Sequence, residues 1–374
     1  MPVFSSLKDR IKRIDPILFG AAAFLSLMSI LTVLGAVDNF GQSKLKMQIA
    51  MTLAGTVAAF LLANLDYRFF VDRFALIFFA GSALLLAITL LFGSSGENIE
   101  TANKSWLNIP VIGIAIQPSE FVKFTFLCTF SRHIDLVKDS INRPLTLLGL
   151  MVHAGVIVGL ILWSGDLGVA LVYLGIIAVM LFCAGVSVWY FVAAIVILVV
   201  AFPFLWDFLA PYQQNRIIFG FQPELDPKDV GRQPLMSRDA IAAGGLFGVG
   251  LFEGGIYEEL AASHTDFIFA TVCEKFGFVG GFLVVAALVV LALRLLWIAY
   301  HCRDVVGRLI CSGIAAILIL QTVENLWMCL ATVPVVGITL PFMSCGGSSV
   351  LALYLLMGLA HSVSAREKKF YFRA

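Results

Sequence analysis

The fold is decided by residues 263–300, which read SHTDFIFATVCEKFGFVGGFLVVAALVVLALRLLWIAY. The stretch begins with a polar cluster around Asp266 and continues into an apolar run long enough to cross a bilayer. The run from 266 to 300 exceeds the roughly 20 residues that one crossing needs. Its first part, around Glu274 and Lys275, is therefore predicted to lie in a cavity or at the interface, with the span proper beginning near Phe278.

The composition extends this membrane interpretation to the whole chain. The 374 residues are 60% hydrophobic and 13% charged, whereas a soluble domain is nearer half apolar and a quarter charged. Apolar runs predict an all-α polytopic membrane protein, and the short alternating segments of a membrane β-barrel are absent. The ten predicted spans are approximately 16–37, 47–64, 73–93, 117–134, 145–163, 167–184, 187–208, 266–300, 308–332 and 339–362.

Cysteines and charge exclude several classes of site. The seven cysteines lie in or beside apolar segments, without a Cys-x-x-Cys pair or a Cys/His cluster, so neither a disulfide framework nor a zinc site is predicted. A formal net charge of +1 gives no indication of nucleic-acid binding. The first apolar run is too long for a usual signal peptide and is predicted to stay as a transmembrane helix. Residues 1–374 are predicted to form one integral membrane domain.

The basic residues orient the chain. With ten spans, the connections that are richer in Lys and Arg lie on the side that holds both termini, which predicts cytoplasmic ends. Two large segments then lie outside, at 93–116 and at about 209–265. Long loops in compact proteins are usually functional, so the active surface is predicted to be external.

Two short motifs open predicted spans. Gln117-Pro118-Ser119-Glu120 fits a helix start, because proline suits the first turn and an acid favours the helix N-terminus. Lys123 lies three residues after Glu120 and could pair with it, yet both charges lie at membrane depth, where a binding role is equally open. Asp166 is interpreted first as a helix cap.

The polar cluster before the eighth span is harder to explain as a cap. Ser263 or Thr265 would cap this helix well, whereas Asp266 adds a costly carboxylate at the membrane. Glu258 and Glu274 lie eight residues to either side. Carboxylates near one mouth could raise a pKa or bind a divalent cation, while His264 alone is no metal site.

The run Leu340-Pro341-Phe342-Met343-Ser344-Cys345-Gly346-Gly347-Ser348-Ser349 opens the last span. Its glycines permit close helix packing, and exposed N–H groups at such a helix start also suit an anion such as diphosphate. Both interpretations stay open from the residues alone.

Taken in order, these motifs resemble the SEDS family, to which RodA, FtsW and SpoVE belong. The resemblance covers nearly the whole chain, and its last two runs are the most specific. The matching pieces are Lys104-Ser105-Trp106, Gln117-Pro118-Ser119-Glu120 with Lys123, Asp166-Leu167-Gly168, Arg216, Ser237, Ala240-Ile241, Gly244-Gly245-Leu246-Phe247-Gly248, His264-Thr265-Asp266-Phe267-Ile268-Phe269-Ala270, Glu274 and the Leu340–Ser349 run.

The resemblance implies a ten-span peptidoglycan glycosyltransferase that polymerises lipid II outside the cytoplasmic membrane and releases undecaprenyl diphosphate. It implies a class B penicillin-binding protein as transpeptidase partner, together with other wall-synthesis membrane proteins. Asp266 holds the position of the essential family aspartate and is the candidate catalytic base. A divalent cation, Mg²⁺ or Mn²⁺, is a candidate cofactor with Asp266 and Glu258 as candidate ligands; no organic cofactor is expected. The substrate-binding candidates are Glu258, Lys123, Glu120, Arg216, Lys104, His264, Ser344 and Ser348.

The sequence departs from the family pattern in the external loop. Leu260-Ala261-Ala262-Ser263 stands where the family usually carries Leu-Pro-Glu-Ala, Lys275 replaces a second acid, and Cys345 stands where tyrosine is common. Two other functions fit ten spans with polar residues at depth: a transporter or flippase of lipid-linked precursors, and a non-catalytic scaffold of the wall-synthesis complex. Roles in elongation, division and sporulation are not distinguished.

Overall fold

The computed structural model describes residues 13–95, 104–109, 114–208 and 211–371, and nearly all regular structure in them is helical. The helices are α1 (Pro16–Gly35), α2 (Val37–Phe40), α3 (Gln42–Asn64), α4 (Tyr67–Phe92), α5 (Pro118–Val137), α6 (Pro144–Trp163), α7 (Leu167–Cys183), α8 (Val188–Phe208), α9 (Pro211–Phe221), α10 (Arg232–Ala243), α11 (Ile268–His301), α12 (Val305–Cys329) and α13 (Gly347–Tyr371). Two short strands, β1 (Leu107–Ile109) and β2 (Ile114–Ile116), form an antiparallel hairpin before α5.

Each of the ten predicted spans corresponds to a helix, which confirms the all-α membrane fold. Seven described helices are long and apolar enough to cross a membrane, namely α1, α3, α4, α6, α11, α12 and α13, and α7 and α8 are shorter apolar helices. The remaining span, α5, carries several charges. The prediction that the last span starts at 339 was wrong, because Phe342 has a positive φ of 62° and the helix begins only at Gly347.

The bundle is built around its C-terminal helices. Helices α12 and α13 are the most buried of the seven long apolar helices, whereas α3 and α4 bury few of their side chains. Helix α3 packs on α13, α1 packs on α11, and α12 lies between α11 and α7. Small residues allow the closest approaches: a Cβ at Gly358 would lie 2.9 Å from the Ala59 Cα atom.

The long helix α11 is broken at Gly277, next to Phe278, where the span proper was predicted to begin. Gly277 has φ 67° and ψ −166°, so the segment before it and the span after it are two helices. The break leaves backbone groups without helical partners, which is costly near hydrocarbon. A glycine-rich loop provides partners for these groups. The Gly245 carbonyl accepts from the Phe278 amide at 2.8 Å, and the Leu246 carbonyl accepts from the Val279 amide at 3.1 Å.

The same loop satisfies the carbonyls on the other side of the break. The Val249 amide donates to the Glu274 carbonyl at 2.9 Å, and the Gly250 amide donates to the Lys275 carbonyl at 3.3 Å. The approach is so close that a Cβ at Gly248 would lie 2.1 Å from the Lys275 carbonyl oxygen. The loop at 245–250 and the Gly277 break therefore form one backbone unit.

Both ends of the described chain lie at one end of the bundle. The Asp15 amide, which precedes α1, donates to His361 Nδ1 on α13 at 3.1 Å. The Arg366 guanidinium pairs with Asp66, at the turn between α3 and α4. This end carries most of the basic residues and is the cytoplasmic one by the charge rule, so Asp266 and the long loop lie at the external end.

Candidate active site

The backbone of the turn at 264–266 is fixed by two other segments of the chain. Asn325 Nδ2 on α12 donates to the Asp266 carbonyl at 2.6 Å and to the Ile338 carbonyl at 2.7 Å. The Ser344 hydroxyl donates to the Thr265 carbonyl at 2.7 Å, and the Cys345 amide donates to the His264 carbonyl at 2.8 Å. Such support fixes the backbone that carries Asp266 before substrate arrives.

The Asp266 carboxylate is half-buried and has no Lys or Arg partner among the residues that the structure describes. The backbone approaches it at Gly337, where φ is 74° and a Cβ would lie 3.5 Å from Asp266 Oδ2. Burial raises the pKa of Asp266 to about 6; a hydrogen bond from Thr265 opposes this rise, and the charge of Asp166 adds to it. The carboxylate is thus ionised at neutral pH and more basic than an ordinary aspartate.

Three helix N-termini meet beside this carboxylate. Asp166 caps α7 by accepting from the Val169 amide at 3.1 Å, which confirms the cap interpretation, and it also accepts from Gln117 Nε2 at 3.0 Å. The Gln117 amide, before α5, donates to the Ser348 hydroxyl on α13 at 3.2 Å. Helix N-termini carry partial positive charge and favour anions.

The predicted pair on α5 is formed. Lys123 Nζ lies 2.6 Å from Glu120 Oε1, and both side chains are almost completely buried. A lysine and a glutamate at membrane depth are tolerated because each partly compensates the other. The pair borders the Asp166 cluster, since the charges of Glu120 and Lys123 both act on Asp166.

Glu274 does not join Asp266 as the sequence suggested. Its carboxylate accepts three backbone N–H groups, from Gly255, Ile256 and Tyr257, at 2.9, 3.0 and 2.8 Å. Glu274 therefore fixes the external loop, because three of its roughly four acceptor sites are used by backbone amides of that loop. Glu258 is exposed on a 3₁₀ turn (Ile256–Glu259). Among the described residues no group of three or more His, Cys, Asp or Glu is arranged to hold a metal ion.

Lys275, the departure from the family pattern, is also structural. Its ammonium donates to the carbonyls of Gly35, Leu251 and Glu253 at 2.9, 3.0 and 3.2 Å and lies 4.3 Å from the centroid of the Tyr257 ring. An acid at 275 could not make these three contacts, because it has no donor at neutral pH.

The other substrate-binding candidates are dispersed around the external end. Lys104 is exposed, and its amide donates to the Ser164 carbonyl at 2.9 Å. The His264 ring packs against Phe40, with centroids 5.4 Å apart. Ser344 and Ser348 use their hydroxyls in the backbone contacts described above. Arg216 lies on α9, and its side chain lies outside the described residues.

Glu324 on α12 is the residue that sequence reasoning missed. It immediately precedes Asn325, and its Oε2 atom is buried without a hydrogen-bond partner in the described part of the chain. The sequence could have identified Glu324, because a lone acid in the predicted 308–332 span is by default a functional candidate.

The chain is similar to known proteins over almost its full length. A family model described as "Cell cycle protein" and covering FtsW, RodA and SpoVE matches residues 13–369. A probable peptidoglycan glycosyltransferase FtsW from Trichlorobacter lovleyi is 33% identical, with 94% of this chain and 90% of that protein covered. The peptidoglycan glycosyltransferase MrdB of Escherichia coli K12 is 32% identical, with 86% and 85% covered.

Solved structures share the architecture. One, described as "Structural coordination of polymerization and crosslinking by a peptidoglycan synthase complex", matches with a TM-score of 0.78 and 28% identity, covering 95% of this chain and 98% of that chain. The rod shape determining protein RodA of Thermus thermophilus matches with a TM-score of 0.69 and 25% identity, covering 94% and 96%.

Proposed function

Since the chain belongs to the FtsW, RodA and SpoVE family and is a multi-pass peptidoglycan glycosyltransferase of the bacterial cytoplasmic membrane, we propose that Asp266 is the general base of that reaction. The observation that carries the proposal is the state of this carboxylate. It is half-buried, held by its backbone from two other segments, and paired with no Lys or Arg among the described residues.

The proposed substrate is lipid II, as both donor and acceptor. The 4-hydroxyl oxygen of the acceptor GlcNAc attacks the anomeric carbon of the donor, and Asp266 takes the hydroxyl proton. The bond from that carbon to the diphosphate breaks, and undecaprenyl diphosphate leaves with the electron pair. An α-linked donor and a β-linked polymer need one inverting displacement, so no covalent enzyme intermediate forms.

The basicity of Asp266 suits this role. A general base works best when its pKa lies just below the operating pH, because it is then ionised and still attracts a proton strongly. Burial raises the pKa of Asp266 to about 6. An ordinary surface aspartate, with a pKa near 3.9, would be ionised as well but would be a weaker base.

The leaving diphosphate would be stabilised by positive groups at the same end of the bundle. The N-termini of α5, α7 and α13 meet beside Asp166, and helix N-termini bind phosphate through free amide groups. Lys123, Lys104 and Arg216 are the candidate side chains, although Lys123 already shares its charge with Glu120.

The divalent cation remains a proposal. The described residues contain no cluster of three ligands. They therefore fit a Mg²⁺ or Mn²⁺ ion that takes one or two carboxylates from the protein and its other ligands from substrate phosphates. Asp266 and Glu258 would be those carboxylates, and the ion would neutralise the diphosphate. We likewise propose a class B penicillin-binding protein and other wall-synthesis membrane proteins as partners, supported by the similar synthase complex that couples polymerization and crosslinking.

The direct test is polymerisation of lipid II by the purified full-length protein, with and without a cognate transpeptidase and a divalent ion. The matched variants are Asp266→Asn, which keeps the shape and removes the base, and Glu259→Gln, which alters an exposed acid of the same external segment. Loss of polymer with Asp266→Asn and normal rates with Glu259→Gln support the proposal. Normal polymer synthesis by Asp266→Asn would refute it.

A further inference from the structure

Glu324 and Lys123 lie equally far from the external ends of their helices. It is five residues before the external end of α12 at Cys329, and Lys123 is five residues after the external start of α5 at Pro118. At 1.5 Å per residue each lies about 7.5 Å below its helix end. Helices α5 and α12 pack against each other, and the charge of Lys123 acts on Glu324.

The two side chains have complementary unused hydrogen-bonding capacity. An ammonium group has three donors, yet among the described residues Lys123 makes one hydrogen bond, to Glu120 at 2.6 Å, although its side chain is only 1% exposed. Glu324 Oε2 is buried and accepts no hydrogen bond there. No direct ion pair within 4.0 Å joins Lys123 to Glu324 in the described part of the chain, so a group could lie between them.

Other unused acceptors and donors lie on the same part of α12. Gln321 Oε1 and Thr322 Oγ1 are buried and make no hydrogen bond within the described ranges. Gln321 and Glu324 are three residues apart and so share a helix face. A buried polar atom without a hydrogen-bond partner destabilises the fold. Two such atoms on one helix face, those of Gln321 and Glu324, next to the residue that holds the Asp266 backbone, point to a ligand.

We propose that Glu324 and Lys123 form a subsite that binds a hydroxyl group of the lipid-linked saccharide. A hydroxyl fits both groups at once, because its proton is donated to Glu324 Oε2 and its oxygen accepts from Lys123 Nζ. The subsite rests on the proposed function, since it assumes that a saccharide reaches Asp266. It connects directly to that residue, because Asn325, next to Glu324, holds the Asp266 carbonyl.

A saccharide subsite accounts for an acid that weakens the fold. Residues kept for binding commonly lower stability, because they are left unsatisfied until the ligand arrives. The proposal therefore predicts opposite effects on stability and on substrate affinity when the carboxylate is removed, whereas a purely structural carboxylate would lower stability when lost.

The test is lipid II titration with the purified full-length protein and its transpeptidase, comparing Glu324→Leu, Glu324→Gln and the exposed control Glu259→Gln. Glu324→Leu should raise KM at least about tenfold, because a hydrogen bond to a charged group is lost, and should leave kcat within about threefold. Glu324→Gln, which still accepts a hydrogen bond, should fall between Leu and wild type. The melting temperature of Glu324→Leu should equal or exceed that of wild type, and Glu259→Gln should match wild type in both.

A double-mutant cycle with Lys123→Met provides the second measurement. If one hydroxyl bridges both residues, the two changes together should raise KM by much less than the product of the single effects. A wild-type KM in both Glu324 variants would overturn the subsite. If Glu324→Leu fails to fold, the KM of the near-isosteric Glu324→Gln variant is the deciding measurement. Asp266→Asn is assayed in parallel: if it is inactive while the Glu324 variants bind normally, only the subsite fails, and if it is active, the proposed function fails.

Discussion

The carboxylates of Asp15 and Asp304 at the cytoplasmic end differ from that of Asp266 at the external end. At the cytoplasmic end they are matched with arginine: Asp15, completely buried, receives Arg294 at 2.6 Å, and Asp304 receives both Arg68 and the Tyr67 hydroxyl. At the external end, Asp266 has no Lys or Arg partner among the described residues. Asp15 and Asp304 therefore hold segments of the bundle together, whereas the Asp266 carboxylate is left available for chemistry.

The largest expected effect comes from removing the available carboxylate. Asp266→Asn should lower the rate of lipid II polymerisation by about 10²–10⁴-fold, the usual contribution of a general base. The fold should not suffer, because a half-buried carboxylate without a cationic partner does not stabilise it. The measurements are polymer yield with purified protein and the melting temperature. A variant that lost activity only in proportion to lost folded protein would contradict the contrast between the two ends.

The matching change at the cytoplasmic end should give the reverse result. Asp15→Ala leaves the Arg294 guanidinium without its partner and removes the cap of α1, so we expect a loss of about 3–5 kcal/mol of stability. Polymerisation per folded molecule should stay near the wild-type value. Thermal unfolding in detergent or nanodiscs measures the first and the lipid II assay the second. Asp72→Asn, an acid with a 43% exposed side chain in weak ion pairs at 3.4–3.6 Å, is the control and should change little.

A change of pH should separate the two ends further. Burial raises the pKa of Asp266 to about 6, so kcat/KM should fall about tenfold for each pH unit below 6. Because the folded state binds this proton more tightly than the unfolded chain does, the stability that it contributes is full below pH 4 and is lost as pH rises through 6. Asp266→Asn should abolish this contribution. A pH–rate profile that stays flat between pH 5 and 7 would count against Asp266 as the base.

At the cytoplasmic end, the stability contributed by Asp304 depends on pH in the opposite direction. Burial alone would raise the pKa of Asp304, but hydrogen bonds from Arg68 and Tyr67 hold it below the usual value. Its contribution to stability is therefore present above pH 4 and lost as pH falls through the lowered pKa. Asp304→Asn should flatten the acid limb of the stability curve, which thermal unfolding between pH 3 and 5 would measure. An unchanged acid limb would show that the pair contributes nothing.

The smallest effect is expected at an exposed pair. Arg366 and Asp66 lie 2.5 Å apart, and both side chains are 40% exposed, so water screens the attraction. Arg366→Ala should cost less than about 1 kcal/mol, measured by thermal unfolding. A loss comparable to that of Asp15→Ala would mean that exposure does not distinguish the cytoplasmic pairs from one another.

Sequence reasoning predicted the helices well and the contacts between distant segments poorly. Long apolar runs predicted all ten spans. The excessive length of the eighth predicted that the part around Glu274 and Lys275 precedes the span proper, because hydrocarbon thickness fixes how many residues a crossing needs. The Glu120–Lys123 pair and the Asp166 cap were predictable because they are local. The use of Glu274 by three amides of the external loop could not be read from spacing, since it depends on a fold over about 18 residues.

The position of Asp266 relative to Asn325 and Ser344 was also hidden, because these residues are 59 and 78 positions later in the chain. The order of the motifs indicated the protein family. Only the packing of the helices shows which side chains contact the turn that carries Asp266. Glu324 was overlooked for a different reason: it is a single acid inside a predicted span, away from the polar clusters at the helix ends.

The join between the 245–250 loop and the break at Gly277 also bears on how the enzyme is made. The ribosome produces the loop first, so its amides and carbonyls lack their partners in the finished structure until residues 274–279 have been made. The segment carrying Asp266 lies between these two halves, and its remaining supports, at Asn325 and Ser344, are translated later still. A nascent chain that ends before these residues therefore lacks the contacts that position Asp266 in the finished protein.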